Sequence, residues 1–330
     1  MNDLSAGVIE QYDISVIKTL RGRGAVILET TEGYKRLMEY GGSFGRLEYM
    51  SKLLEYIYEH GFKNVDMILK NKEGMLFSTD TGGSRFIITD WFYGNECDVK
   101  SYNNIYEGAV ALGRLHNITG NNIGSCLSTE KDSLPATGNL IDEYAKHNQE
   151  LKRAWNYIRN RRHKSEFEYD ILKHMSEYLG YGTEAYNRLK SSCYPALENL
   201  ALEQGYICHG NYNYHNIIFA KNKVAVVNFE KSGRGILIKD LYLFFRKVME
   251  KHDWDIHMGH EIIESYNHIR SIPNDEYMLL KIMLTYPEKF WKVVNHYFNG
   301  NKSWIPDKDM EKLKTVYHQQ RKKEEFVKSM

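Results

Sequence analysis

The stretch "YICHGNYNYHNIIFA", residues 206–220, decides how the rest of the chain is read. His209, Gly210 and Asn216 stand where an H-G-D-x-x-x-x-N loop of a phosphoryl-transfer site places them, but Asn211 takes the position of the aspartate. Phosphoryl transfer asks little covalent work of a protein. It needs a strand cation for the phosphates, an aspartate facing the acceptor hydroxyl, an asparagine for metal and a second metal-holding aspartate. Downstream, "NIIFA" and "VAVVNF" read as two short strands around a K-N-K turn, which puts Asn228 at the second metal position. Two carboxylates have thus become carboxamides. An amide keeps the shape of a carboxylate but has no charge and takes no proton at neutral pH. Losing a general base costs roughly 10²- to 10⁴-fold in rate, and hard cations bind according to ligand charge.

The strand cation is sought in "TTEGYKRLMEY", where the equivalent position, one residue after the inward leucine, is Met38. Lys35 or Arg36 would have to reach in from a neighbouring register, and Arg36 shares a strand face with Met38. Without that cation, Glu48 and Glu55 on the next helix read as solvated charges. Asp240, in "GILIKDLYLFF", falls at a helix start, where it either caps the helix or braces the loop through backbone hydrogen bonds. An active alternative draws a metal carboxylate from Glu230 and proton transfer from His209 or His215.

Outward from the loop, residues 12–40 alternate as a three-strand meander with turns at Arg21–Gly24 and Glu32–Gly33. Phe44 to His60 has helical spacing, with Gly61 behind it as a stop. "MILK", "GMLFST" and "RFIITDWF" read as further strands. "IYEGAVALGRLHNIT" is amphipathic, with Ala109, Leu112, Leu115 and His116 on related faces; 140–204 and 237–328 read as mostly helical. The pattern predicts an α+β chain with a sheet-rich lobe at 1–93 and a helical lobe at 94–330.

Lys plus Arg number 44 against 43 Asp plus Glu, so no net field draws the chain to nucleic acid or an anionic membrane. The basic run "RNRRHK" at 159–164 reads as a solvated helix face. Cys97, Cys126, Cys193 and Cys208 lie far apart, which fits a reduced compartment. No apolar run reaches the length of a membrane span, and the start lacks a signal pattern, so a soluble protein retained in the cell is expected. The histidines show no metal-ligand spacing, and "HDWDIHMGH" at 252–260 reads as a polar helix connection. The 25 tyrosines suit half-buried or adhesive surfaces, or simply reflect the base composition of the genome, since Asn, Lys and Ile are also plentiful.

"CHGNYNYHNII", the hinge "TDWFYGNECD", "ALGRLHNIT" and "YPEKFWKVVNHYFNGNKSW" together resemble the CotS-type spore coat proteins, relatives of aminoglycoside phosphotransferases and choline kinases. The resemblance implies a bilobal protein-kinase-like fold, synthesis in the mother cell cytoplasm and association with the forming spore coat. The hinge backbone from Asp90 through Trp91 and Phe92 to Tyr93 could still hold adenine through main-chain groups, so a nucleotide-binding module without turnover is a further reading. Carried over by position, the resemblance puts the loop aspartate at Asn211, the metal asparagine at Asn216, the second metal aspartate at Asn228 and the strand lysine at Met38. Three of the four catalytic positions depart from an active enzyme. The expectation is therefore a pseudokinase that binds other coat proteins, with ATP and Mg²⁺ binding weakened or lost; the alternative is a Mg²⁺-dependent phosphotransferase with an atypical site.

Overall fold

The computed structural model describes residues 7–22, 24–121, 123, 127, 135–221, 223–299 and 307–330. Cys126, one residue in each of the 21–24 and 221–223 turns, and the end of the 286–304 stretch lie outside the described residues.

The meander forms as β1 (Val16–Gly22), β2 (Ala25–Thr30) and β3 (Gly33–Glu39), antiparallel throughout, with Leu20 opposite Ile27 and Val26 opposite Leu37. Helix α1 (Phe44–Glu59) follows; the Ser43 hydroxyl accepts the Arg46 N–H, and Leu47, Met50, Leu53, Leu54 and Ile57 are buried. Gly61 stops the helix at φ +102, a conformation open to glycine. With β4 (Ser78–Thr79) and β5 (Arg85–Asp90) the sheet order is β1-β2-β3-β5-β4.

The strands expected at 67–70 and 74–79 are largely absent. Ile68 makes one bridge to Thr89, Leu69 N–H donates to Ile88 O, and only Ser78–Thr79 pairs as a strand. The reason is Asn71, whose side-chain Oδ1 accepts the N–H groups of Glu73 and Met75 and folds the chain into a turn with Gly74 at φ +80.

Past the hinge, β6 (Asn95–Glu96) pairs with β8 (Ile217–Ala220), and β8 with β9 (Lys223–Val226), while β7 (Ile207–Cys208) pairs with β10 (Gly233–Arg234). The helices are α2 (Tyr102–Thr119), α3 (Leu140–Asn160), α4 (Glu166–Ser191), α5 (Tyr194–Glu203), α6 (Ile238–Met249), α7 (Ile256–Asn267), α8 (Asn274–Thr285), α9 (Glu288–Asn299) and α10 (Asp307–Ser329). One apolar cluster runs from α1 and Ile87 of β5 through α2 to α6, α7 and α8; a second joins α3, α4, α9 and α10. The sheet-rich and helical parts therefore share a core.

The side motifs resolve as structure. "RNRRHK" is the corner between α3 and α4, where Arg161 pairs with Glu168 and Ser165 with Glu168 forms a capping box. In "HDWDIHMGH", Asp253 and Trp254 adopt φ +51 and +57, which drives Trp254 to 4% exposure beside Phe245 and Phe326. Asp255 caps α7. Among the described residues no three His, Cys, Asp or Glu side chains are grouped to hold a metal, and Cys97, Cys193 and Cys208 are free thiols. No described helix is long and apolar enough to cross a membrane. The tyrosines divide: Tyr178, Tyr194, Tyr212, Tyr266 and Tyr286 are fully buried, and Tyr93, Tyr102, Tyr157 and Tyr169 are exposed.

Candidate functional site

The loop is built from its backbone outward. Gly210 has φ +75, and a Cβ there would lie 2.0 Å from the Lys231 carbonyl, so the position admits only glycine. The Asp240 carboxylate accepts the N–H of His209 at 2.6 Å and of Gly210 at 2.9 Å, and lies 3.3 Å from His116 Nε2. Burial works against its charge, but the His116 hydrogen bond and the His209 N–H outweigh burial and hold Asp240 below the usual carboxylate range. His116 in turn takes the Tyr266 hydroxyl at Nδ1, 2.7 Å away. Burial lowers the pKa of His116, so the neutral ring donates to Asp240 through Nε2 and accepts from Tyr266.

His209 is likewise spent on structure. Its Nε2 donates to Val227 O at 3.0 Å, leaving Nδ1 to accept the Asn211 N–H at 3.2 Å. Burial lowers its pKa, and with both nitrogens engaged in the neutral form it carries no proton for chemistry. His215 sits at the exposed mouth, paired with Glu96.

The carboxamides hold one another. Asn216 Nδ2 donates to Asn211 O at 2.9 Å, Asn213 Nδ2 to the same carbonyl at 2.7 Å, and Asn228 Nδ2 to Asn216 Oδ1 at 2.7 Å. Asn228 ends the β9 hairpin in the left-handed region, φ +69, which asparagine tolerates better than most residues. Its Oδ1 accepts from Arg36 Nη1 at 2.7 Å. That orientation is chemically required, because a guanidinium has no acceptor and the amide atom facing it has to be oxygen.

Arg36, two residues before Met38 on the same strand face, thus occupies the site, whereas Met38 packs into the main apolar cluster. The sequence placed the cation position at Met38 and offered Arg36, two residues away on the same face, only as the alternative; the structure puts Arg36 there. The second Arg36 nitrogen, Nη2, lies 3.0 Å from Asp66 Oδ2, and its guanidinium stands 5.0 Å over the Trp91 ring. Asp66 Oδ2 also accepts the Asn228 N–H at 2.9 Å. Burial pushes the Asp66 pKa up to about 6, against the pull of Arg36 and the Asn228 N–H.

Asp66 and Arg46 were not legible as site residues. Asp66 is one acid in the irregular segment after α1, with no motif around it. Arg46, on α1, donates through Nε to Glu230 O at 3.0 Å and through Nη2 to Ser232 O at 2.6 Å, so the helix grips the segment after Asn228 by its backbone. Glu230 itself is exposed, and Glu55 accepts from Ser51 within α1. At the hinge, Lys35 pairs with Asp90 at 2.6 Å. Asp90 N–H donates to Met67 O and Trp91 N–H to Tyr34 O, while the Trp91 and Phe92 rings pack on Ile218, Ala225 and Val227.

A divalent cation does not fit this donor set. Asn216 Oδ1 and Asn228 Oδ1, the oxygens at the two positions expected to hold metal, are neutral and already accept hydrogen bonds, one of them from a cation.

The family model described as "Spore coat putative kinase YutH" matches residues 6–330. Spore coat protein S of Bacillus subtilis (strain 168) is 23% identical over 163 residues, covering 49% of this chain and 46% of that protein, so the match spans about half of each. An aminoglycoside phosphotransferase from Alicyclobacillus acidocaldarius superposes with a TM-score of 0.85 at 16% identity, covering 98% of this chain and 94% of that one. Spectinomycin phosphotransferase APH(9)-Ia, solved with ADP and spectinomycin, gives 0.62 at 10% identity over 94% of each chain. These structures establish the fold: the α+β, protein-kinase-like architecture with a five-stranded sheet before a mainly helical remainder.

Proposed function

We propose, from the premise that this chain belongs to the spore coat kinase-like family, that it is a pseudokinase working in coat assembly by binding other coat proteins. The observation that carries the reading is Asn228, whose amide is consumed at both ends inside the protein, by Arg36 and by Asn216. Asn211, at the position facing an acceptor hydroxyl, adds no base. The scaffold around them is intact: Asp240 holds the loop, Gly210 makes its turn, and Arg46 fastens the following segment. A protein that keeps the frame while spending its polar groups on one another offers a surface. Exposed Tyr93, Tyr102, Tyr157 and Tyr169 supply side chains of the kind enriched in protein interfaces. In this reading the protein is made in the mother cell cytoplasm and joins the forming coat.

The test pairs chemistry with assembly. The purified protein is expected to consume ATP with Mg²⁺ only at the buffer background, and the Asn211→Ala variant is expected to enter the coat of isolated spores in wild-type amount. Turnover above background that Asn211→Ala abolishes would replace this reading with that of a phosphotransferase.

A further inference from the structure

We infer that Arg36 is the resident cation of this site: its guanidinium holds the ground of a divalent metal, so restoring the missing carboxylates does not by itself restore metal binding. The inference rests on the pseudokinase reading and adds the identity of what occupies the centre. Arg36 is 8% exposed and its fork is used on both arms, one to Asn228 Oδ1 at 2.7 Å and one to Asp66 Oδ2 at 3.0 Å. Asp66, 3% exposed, closes the circuit by taking the Asn228 N–H at 2.9 Å. Side chain and backbone of one residue are therefore tied to one ion pair. The left-handed backbone at Asn228 fixes the direction of its carboxamide, and Trp91 lies against the guanidinium from another side.

The consequence is particular to an arginine. A carboxylate introduced at 228 would meet a planar donor already at hydrogen-bond distance and form a charge-assisted pair. A metal ion would then compete with a tethered cation for the same oxygen. A lysine at 36 has a single ammonium in place of the fork and cannot span Asn228 and Asp66 in the same way.

The experiment follows melting of the full chain with Mn²⁺ alone, ATP alone and both together, and monitors bound Mn²⁺ by electron paramagnetic resonance. Asn228→Asp exchanges the hydrogen bond from Nδ2 to Asn216 Oδ1 for a charge-assisted pair with Arg36, so metal binding, not the ligand-free midpoint, is the decisive reading. The Asn211→Asp, Asn228→Asp double variant is expected to show no Mn²⁺-dependent shift and no bound Mn²⁺. Adding Arg36→Lys to that double variant is expected to produce both; where the triple variant does not fold, Arg36→Gln on the same background is read in its place. Mn²⁺ binding by the double variant with Arg36 in place would overturn the inference. So would its absence from the folded triple variant; in these cases the pseudokinase reading stands. Mn²⁺ and ATP binding together by the wild-type protein, with turnover, would remove that reading as well.

Discussion

Two buried aspartates, Asp240 and Asp66, sit on either side of the loop, and their environments push them in opposite directions. Asp240 is held below the carboxylate range, so its contribution to stability is present above the unfolded value near 3.8 and is lost as pH falls through its folded value. Replacing it with alanine strands the N–H groups of His209 and Gly210 together with His116, and is expected to cost about 3–5 kcal/mol, read as a lower urea midpoint. Asp66, pushed from 3.8 up to about 6, takes up a proton on folding between those values. Its contribution is therefore present at low pH and lost as pH rises through 6. The stability of the wild type relative to Asp66→Asn is expected to grow by on the order of 2–3 kcal/mol between pH 7 and pH 4, as measured by urea unfolding. A flat difference across that range would rule out the raised Asp66. The sequence marked Asp240 by its distance from the loop, whereas Asp66 carried no mark, because its partners Arg36 and Asn228 are 30 and 162 residues away.

At the scale of elements, α1 holds the site by an unexpected route. No acid of α1 faces the strand cation among the described contacts; instead Arg46 reaches the carbonyls of Glu230 and Ser232, and the acid partner of Arg36 comes from the segment after the helix. Arg46→Ala is expected to cost about 1–2 kcal/mol and to speed amide exchange at Ser232, with the exchange of β1 and β2 unchanged. Strands β1, β2 and β3 were legible because alternation and glycine turns are local signals. The 67–77 segment was not: its two short apolar runs, Met67–Leu69 and Met75–Phe77, resemble strands, but the Asn71 side chain wins the local backbone N–H groups between them. Likewise the helical composition of 140–204 conceals its break: the Ser165-x-x-Glu168 capping-box pattern marks a helix start there, and the Arg161–Glu168 pair, which the sequence does not announce, fixes the corner.

Across the whole molecule, the sheet-rich part and the helical part are tied at several points. Asn64 O accepts the Val226 N–H, Val65 bridges to Val226 in parallel, Arg36 binds Asn228, and Arg46 binds the segment beyond it. A Cβ on Gly94 would lie 2.2 Å from Phe219 O, so the hinge is pressed against β8. This arrangement is thus held by the protein's own groups. Small-angle scattering is expected to give the same radius of gyration with and without ATP and Mg²⁺, and Arg36→Ala is expected to increase it; a ligand-induced contraction of the wild type would show that the parts are free to move.

The sequence alone determined the α+β class, the order of strands and helices around the loop, and the carboxamides at 211 and 228. Each of these is written in neighbouring residues, as periodicity, turn chemistry or motif spacing. Only the tertiary structure decided which cation enters the site and which acid meets it. A strand face offers Arg36 and Met38 alike, and the choice between them was made by Asp66, folded against Arg36 from within the sheet-rich part, and by Asn228, brought to it by the packing of the two parts. Hydrogen bonds between groups so distant in the chain leave no local pattern, because what selects them is proximity and burial after folding.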